Sequence, residues 1–409
     1  MNYQTNIEDF NYSLPAERIA LYPCPQRDQS KLLIYKGKQI SEDIFANIAD
    51  YLSNDNILVF NDTKVVQARL IFHKPEGATV EIFCLEPLSP TPVHALAFEV
   101  QGSCRWLCYI GNNKRLKTSI EQHFDYHGQD GILKAERIHA QGDAFVVEFS
   151  WNLSQLSFGE ILEQVGKIPL PPYIKRQADT NDSYRYQTIF AQEKGSVAAP
   201  TAGLHFTDSV LQSLNNKHIQ HINITLHVGA GTFKPVTEQY IEQHVMHTEP
   251  IFFNRNSIEL LLNNIEKKII TVGTTSTRSL ESLYWLGVKI HHAYQNNLPV
   301  TPETLHLTQW EAYTQWQTLS ISPKESLQSV LQYMNDINSN HLQASTAIMI
   351  TPYYQPKLVK GLITNFHQPK STLMLLIAAF VHDDWKQIYD YALSHNFRFL
   401  SYGDACLFL

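Results

Sequence analysis

No run of about 18 apolar residues occurs anywhere in the 409-residue sequence, which excludes a bilayer-spanning helix. Cysteine is scarce: Cys24, Cys84, Cys104, Cys108 and Cys406 form an odd, scattered set, and Cys104 and Cys108 have no second pair beside them. That excludes a disulfide framework and a four-cysteine zinc site, and free thiols suit a reducing compartment. The opening MNYQTNIEDFNYSLP is polar and acidic, without the basic-then-apolar order of a signal peptide, so a cytoplasmic location is expected. Basic residues are outnumbered, 32 to 39, for a net charge of −7. A general cationic coat for nucleic acid is therefore absent, although a local basic face remains compatible with that balance. Neither a G-x-S-x-G elbow nor a phosphate-binding P-loop is present, which argues against the corresponding hydrolases and nucleotide hydrolases. The most telling deficit is local. Residues 195–206, GSVAAPTAGLHF, carry no Lys, Arg, Asp or Glu and are built almost wholly of small side chains, ending in His205 and Phe206. Such a stretch is a flexible linker or a loop that lets backbone approach a ligand closely.

With 44% hydrophobic residues, the chain has material for a large core, and its length suggests two or three domains. Residues 57–70, ILVFNDTKVVQARL, read as two strands joined by the turn formers Asn61 and Asp62. From there to Trp151 short apolar or alternating runs such as ATVEIFCLEP and DAFVVEFSW follow at close spacing, the pattern of a small β-barrel or sandwich. After Trp151 the pattern changes. Ser157 and Glu160 form a capping box, Thr207 can cap a helix reaching Asn216, and HINITLHV at 221–228 alternates as a strand. IITVGTTSTRSLESLYWLG and LITNFHQPKSTLMLLIAAF each read strand, turn, helix. This alternation implies an α/β domain with a largely parallel sheet. The simplest arrangement is an α/β catalytic domain at 1–68 and 156–409, interrupted by a small inserted β-barrel domain at 69–155. Residues 287–343, rich in Gln and Asn, read as irregular surface or an accessory element.

Four strand-to-helix or strand-to-loop junctions share one design: GSVAAPTAGLHF, LHVGAGTF, VGTTSTR and TNFHQPKST. Ligands of open α/β sheets sit off the carboxyl ends of the strands, where helix N-termini offer unpaired N–H groups. His205, His227 and His367 each fall in one junction, and imidazole is the usual proton-transfer group near neutral pH. Arg278 sits in the first turns of a helix, where the dipole disfavours a cation, which points towards a ligand role. Lys234 occupies the place of the last Gly of G-x-G-x-x-G, so a dinucleotide fold is unsupported. His244 and His247 with Glu242 and Glu249 have loose spacing and no fixed third ligand, and no metal is expected.

Together these segments resemble the S-adenosylmethionine:tRNA ribosyltransferase-isomerase family of the queuosine pathway. The resemblance rests on FNYSLPAERIA, RDQSKLL, NDTKVVQARL, IPLPPYIKR, RYQTIFA, GSVAAPTAGLHFT, TLHVGAGTFKPV, HVMHTE, VGTTSTRSLES, LITNFHQPKSTL and RFLSYGDACL, running in order from about Phe10 to the C-terminus. It implies transfer of the ribosyl part of S-adenosylmethionine to the aminomethyl group of a 7-deazaguanine at the tRNA wobble position. The sugar is rearranged to an epoxycyclopentanediol, adenine and methionine leave, and no cofactor or metal is needed. It also implies an α/β domain carrying an inserted β-barrel.

On that reading His205 and His227 are the first candidates for acid and base, with His367 and Asp404 next, and the two roles stay interchangeable. Ser196, Pro200, Thr201, Gly203, Phe206, Gly229, Gly231, Thr232, Thr274, Thr275, Ser276 and Arg278 are the candidates to hold S-adenosylmethionine. An uncharged loop would hold a cationic sulfonium without repelling it, and the start of the helix at Thr274 could receive a carboxylate. The tRNA anticodon loop is the expected partner, with Arg27, Lys31, Lys64, Arg69, Lys175, Arg176 and Lys370 as phosphate contacts. Tyr353 stands where the family usually has Gly, Gln368 where it has Leu, and Ala78 replaces one of two glycines. These departures leave two other readings open: another acceptor, or binding without turnover.

Overall fold

The computed structural model describes residues 5–116, 118–142, 144–229, 236–319 and 321–409. Strand Asn56–Asn61, NILVFN, is buried at every position, as a central strand covered on both faces must be. Its side chains alternate between two cores. Ile57 and Val59 join Ile222, Ile224 and Leu362 on one side, while Leu58 and Phe60 join Ile270, Val272 and Ile363 on the other. The first core is closed by helices Thr274–Gln295, Pro323–Asp336, Thr372–Val381 and Trp385–Ser394. Helix Asp208–Asn216 and the 3-10 segment Phe45–Tyr51 close the second. The result is a three-layer α/β structure.

The sheet between these layers has ten strands and is mixed rather than largely parallel. Its centre is parallel: Gln220–Leu226, Asn56–Asn61, Lys268–Val272 and Val359–Asn365 lie side by side. Outside that centre Glu249–Asn254 pairs antiparallel with its neighbours on one flank, and Ala405–Phe408 pairs antiparallel with Val359–Asn365 on the other. The short connections expected of the sequence are present. Thr207 accepts the Val210 N–H at 3.3 Å to start its helix, and Ser157 and Glu160 form the reciprocal capping box.

Residues between Arg69 and Lys167 form a second, seven-stranded antiparallel sheet, with Gly166–Lys167 at one edge and Ser119–Tyr126 at the other. It is curled, and Trp106, Phe149 and Phe158 fill its concave side. Helix Phe158–Val165 packs there through Phe158, whose ring lies 5.4 Å from that of Trp106. Thr63–Val65 and Glu193–Ser196 pair in parallel as a separate two-stranded ribbon. No described helix is long and apolar enough to cross a membrane.

Residues 287–343 are more ordered than their composition suggests. Helix Thr274–Gln295 runs on through Gly287, and Ser322 with Glu325 caps helix Pro323–Asp336, which packs against it. The two helices meet closely because position 287 lacks a side chain: a Cβ there would lie 2.4 Å from the Ser326 carbonyl oxygen. Tyr353 has no left-handed backbone, so its turn accommodates a side chain where the family usually has Gly.

Helix Thr274–Gln295 is buried from Thr274 to Ile290 and carries Glu281 in its interior. That carboxylate accepts the N–H groups of Lys357, Leu358 and Val359 at 2.8, 3.0 and 2.9 Å and the Tyr354 hydroxyl at 2.6 Å. Burial pushes its pKa up, and the four donors pull it back. Glu281→Gln replaces one acceptor oxygen by a donor facing these groups. It should lower unfolding free energy by about 3 kcal/mol, as bonds to a buried charge are lost, readable by chemical denaturation. A loss under about 1 kcal/mol would show that the network re-forms around the amide.

Candidate active site

The four central parallel strands end at one edge of the sheet, and their ends converge. Asn61 pins two of them together, its amide accepting the Leu226 N–H at 3.1 Å and donating to the Leu226 carbonyl at 3.0 Å. Beside this junction lies a cleft of about 810 Å³, counted to its open mouth. Ala198–Ala202 form one wall, Gly273–Thr275 a second, and Thr364–Gln368 a third, with Tyr173 and Ser401 completing it.

Among the residues singled out by sequence, Pro200, Thr201, Thr274, Thr275 and His367 line this cleft. His367 is buried, its Nε2 engaged by Thr364 Oγ1 at 2.9 Å and its backbone held by the hydroxyls of Tyr389 and Tyr12. Among the described residues its Nδ1 has no hydrogen-bond partner.

His205 lies behind the wall. Its Nε2 accepts from Asn365 Nδ2 at 3.1 Å, because Asn365 Oδ1 is taken by the Thr201 hydroxyl at 2.9 Å. The Nδ1 proton therefore goes to Ser30 Oγ, 2.7 Å away, and both ring nitrogens are committed. His227 is elsewhere, bonded to Thr63 Oγ1 at 2.9 Å with its ring 5.9 Å from that of His94. Thus the three histidines do not meet in one cleft. Asp404 is a clamp: its carboxylate accepts the backbone N–H groups of Lys31 and Arg398 at 3.1 and 2.7 Å.

The other candidates hold structure. Ser196 Oγ donates to the Ala198 carbonyl at 2.7 Å and accepts the Val228 N–H at 3.0 Å, fastening the loop to the segment containing Gly229. Gly203 packs against Phe190 and Thr188, and Phe206 is wedged edge-on between Phe45 and Phe60. Ser276 donates back to the Val272 carbonyl at 2.8 Å. Arg278 forms a buried ion pair with Glu249, and its Nη2 has no partner among the described residues. Gly231 and Thr232 lie outside the described residues. Glu249 is thereby committed, and His244 Nδ1 meets Glu238 at 2.9 Å.

The basic candidates are dispersed. Arg176 is mostly buried against Asp182 at 2.6 Å, Arg69 pairs with Glu81 at 3.2 Å, and Lys370 with Glu8 at 3.0 Å. Lys31 donates to the His395 carbonyl at 2.8 Å, Arg27 to the carbonyls of Tyr184 and Gln187, Lys64 is half-buried in the ribbon, and Lys175 is exposed. Sequence reading missed Asn365, Tyr173, Thr364 and Ser401. Asn365 stands inside TNFHQPKST, where His367, Gln368 and Lys370 drew notice instead.

A family model described as queuosine biosynthesis protein matches residues 7–408. The chain belongs to that family. An S-adenosylmethionine:tRNA ribosyltransferase-isomerase of Halothermothrix orenii is 35% identical to it, covering 98% of this chain and 99% of the relative. One from Legionella pneumophila is 36% identical, over 99% and 100%. The crystal structure of an S-adenosylmethionine tRNA ribosyltransferase from Thermotoga maritima is 25% identical, covers 98% of this chain and 100% of its own, and has a TM-score of 0.45.

In this family member, burial holds all three histidines neutral. It pushes His205, His227 and His367 down to about 3, helped at His205 by the Arg398 and Arg27 cations and at His227 by His94. The unfolded chain titrates them near 6.5. Unfolding between these values takes up protons, so stability is full above pH 6.5 and falls as pH drops towards 3. Each histidine contributes about 1.4 kcal/mol per pH unit. His205→Gln should flatten the slope of unfolding free energy between pH 6 and 4 by about one proton. An unchanged slope would mean that His205 titrates normally.

Proposed function

We propose that this chain transfers and isomerises the ribosyl moiety of S-adenosylmethionine onto 7-aminomethyl-7-deazaguanine at the tRNA wobble position. The products are epoxyqueuosine-tRNA, adenine and methionine. The observation that carries the reading is the full-length family match, joined to a cleft at the carboxyl ends of the parallel strands. The chain is on this reading a transferase of cytoplasmic tRNA, and the seven-stranded sheet derives from a β unit inserted at 69–155.

The sulfonium acidifies the adjacent C5′ proton, which a base must remove. Adenine then departs as its glycosidic bond breaks and a proton is supplied to the ring. The acceptor amine bonds to a neighbouring sugar carbon and gives up a proton, and methionine departs with the C–S bonding pair as the epoxide oxygen closes onto the carbon that sulfur held. Positive sulfur supplies the leaving-group activation, so the reading calls for no metal. His367 Nδ1 is our choice of base, supported by its place in the cleft wall and its lack of a partner among the described residues. His205 and Asp404 serve better as holding groups, since their polar atoms are already committed. His227, bonded to Thr63, stays a candidate for a second proton transfer. Thr201, Thr274, Thr275 and Asn365 would hold the uncharged part of the substrate through hydroxyl and amide groups. The mostly small side chains of 198–202 leave room for it.

The test mixes protein, S-adenosylmethionine and tRNA bearing the aminomethyl-deazaguanine, then reads adenine release and nucleoside mass. Adenine appearing together with epoxyqueuosine is the expected outcome. His367→Gln should reduce kcat by about 10²–10⁴-fold while changing the KM for S-adenosylmethionine far less. Adenine release that does not depend on tRNA would favour a different acceptor, and no release would favour binding without turnover.

A further inference from the structure

Behind His205, on the side away from the cleft, lies a smaller pocket of about 270 Å³, counted out into the solvent at its mouth. Arg27, Arg185 and Arg398 line it together with Ser30, His205 and Ser401, and Ser401 also lines the cleft. The two pockets are therefore back to back.

Three guanidinium groups share this pocket with little compensating charge. Arg27 donates to the Tyr184 carbonyl at 2.8 Å and to that of Gln187, while Arg185 reaches back to the carbonyls of Pro25 at 3.1 Å and of Cys24. Carbonyls satisfy N–H groups without cancelling their charge. Among the described residues, the buried Arg185 Nε has no hydrogen-bond partner. Of the three, among the described residues, only Arg398 meets a carboxylate, Asp404, at 3.2 Å. Asp28, next to Arg27, is turned to Thr207 and Ser209, and Asp182 is matched by Arg176. An excess of positive charge thus remains, in a chain whose net charge is −7. The repulsion is felt: burial and the neighbouring Arg185 both lower the pKa of Arg27.

The surroundings add a second, independent feature. Tyr22 and Tyr184 are 57% and 72% exposed, unusual for such large rings. The Arg176 guanidinium lies 4.1 Å from the Tyr22 ring centroid and that of Arg27 lies 5.3 Å from the Tyr184 centroid, which fixes both rings at the surface. Cations flanked by exposed aromatic faces are the device by which proteins hold unpaired nucleic acid: guanidiniums take the phosphate, and rings stack the base.

We infer that the pocket of Arg27, Arg185 and Arg398 binds a backbone phosphate of unpaired RNA, with a neighbouring base stacked on Tyr22 or Tyr184. The inference rests on the proposed tRNA acceptor and refines it: the bound segment is the strand that flanks the reacting nucleotide. Duplex RNA, whose bases are already stacked, would not use the tyrosines.

The test is direct binding of a short unpaired RNA oligonucleotide, followed by fluorescence anisotropy as a function of salt, with duplex RNA as control. The double variant Tyr22→Ala and Tyr184→Ala removes only exposed rings and should weaken binding about tenfold or more, leaving duplex binding unaltered. Arg27→Gln should reduce the slope of log affinity against log salt by about 0.7. Arg185→Lys tests the same point with charge retained and the fork removed, and thermal melting checks each fold. Unchanged affinity and slope in well-folded variants would overturn the inference, whether or not the protein turns over. Wild-type protein that binds the oligonucleotide in this manner yet releases no adenine from the modified tRNA would instead overturn the proposed reaction and leave the pocket standing.

Discussion

The buried carboxylate of Glu281 is the constraint on which the site depends. An ionised group removed from water is tolerated only where its oxygens are fully matched. Here three consecutive N–H groups and a tyrosine hydroxyl match them. The Trp285 indole N–H in turn donates to that hydroxyl at 2.8 Å, so the helix holds the segment through two of its own turns. What is fixed is the register of helix Thr274–Gln295 against strand Val359–Asn365. The N-terminus of that helix carries Thr274 and Thr275, and the strand leads into Asn365, Phe366 and His367. Two walls of the cleft are therefore set by one interaction lying deep beneath it.

The smallness of residues 195–206 has two physical origins. Part of it is packing: a Cβ at Gly195 would lie 2.5 Å from the His227 ring, and one at Gly203 would lie 2.8 Å from Phe190. The remainder is space, since Ala198–Ala202 bound the cleft directly. One loop thus braces a histidine of one junction with its first residue and shapes a ligand site with its middle.

Local features were legible in the sequence, and pairings were not. Strand Gln220–Leu226, the capped helices after Ser157 and Thr207, and the strand–turn–helix units at 268–295 and 359–381 follow from periodicity and capping chemistry. By the same rules, Ser322 to Glu325 should have announced a helix, but the polar composition of 287–343 concealed Leu327, Val330 and Met334 on its buried face. The mixed order of the sheet could not be read, because antiparallel flanking strands look like any other short apolar run. Arg278 seemed free to meet a ligand only because Glu249 lies on a different strand. The three histidines occupy similar sequence settings, yet Ser30 and Asn365 hold one, Thr63 another and Thr364 the third. Only His367 among them reaches the cleft.

The position of strand Ala405–Phe408 has a bearing on how the molecule is made. It is the last described strand in sequence, yet it lies inside the sheet, parallel to Lys31–Lys36 on one side and antiparallel to Val359–Asn365 on the other. A growing chain therefore displays two strand edges, one formed early and one late, that this strand can pair with only once residues 405–408 have been made. Its second sheet, from residues 69–167, is free to collapse long before that moment. Formation of the two sheets is thus separated in time, and the open edges in between are where a growing chain is most exposed to mispairing.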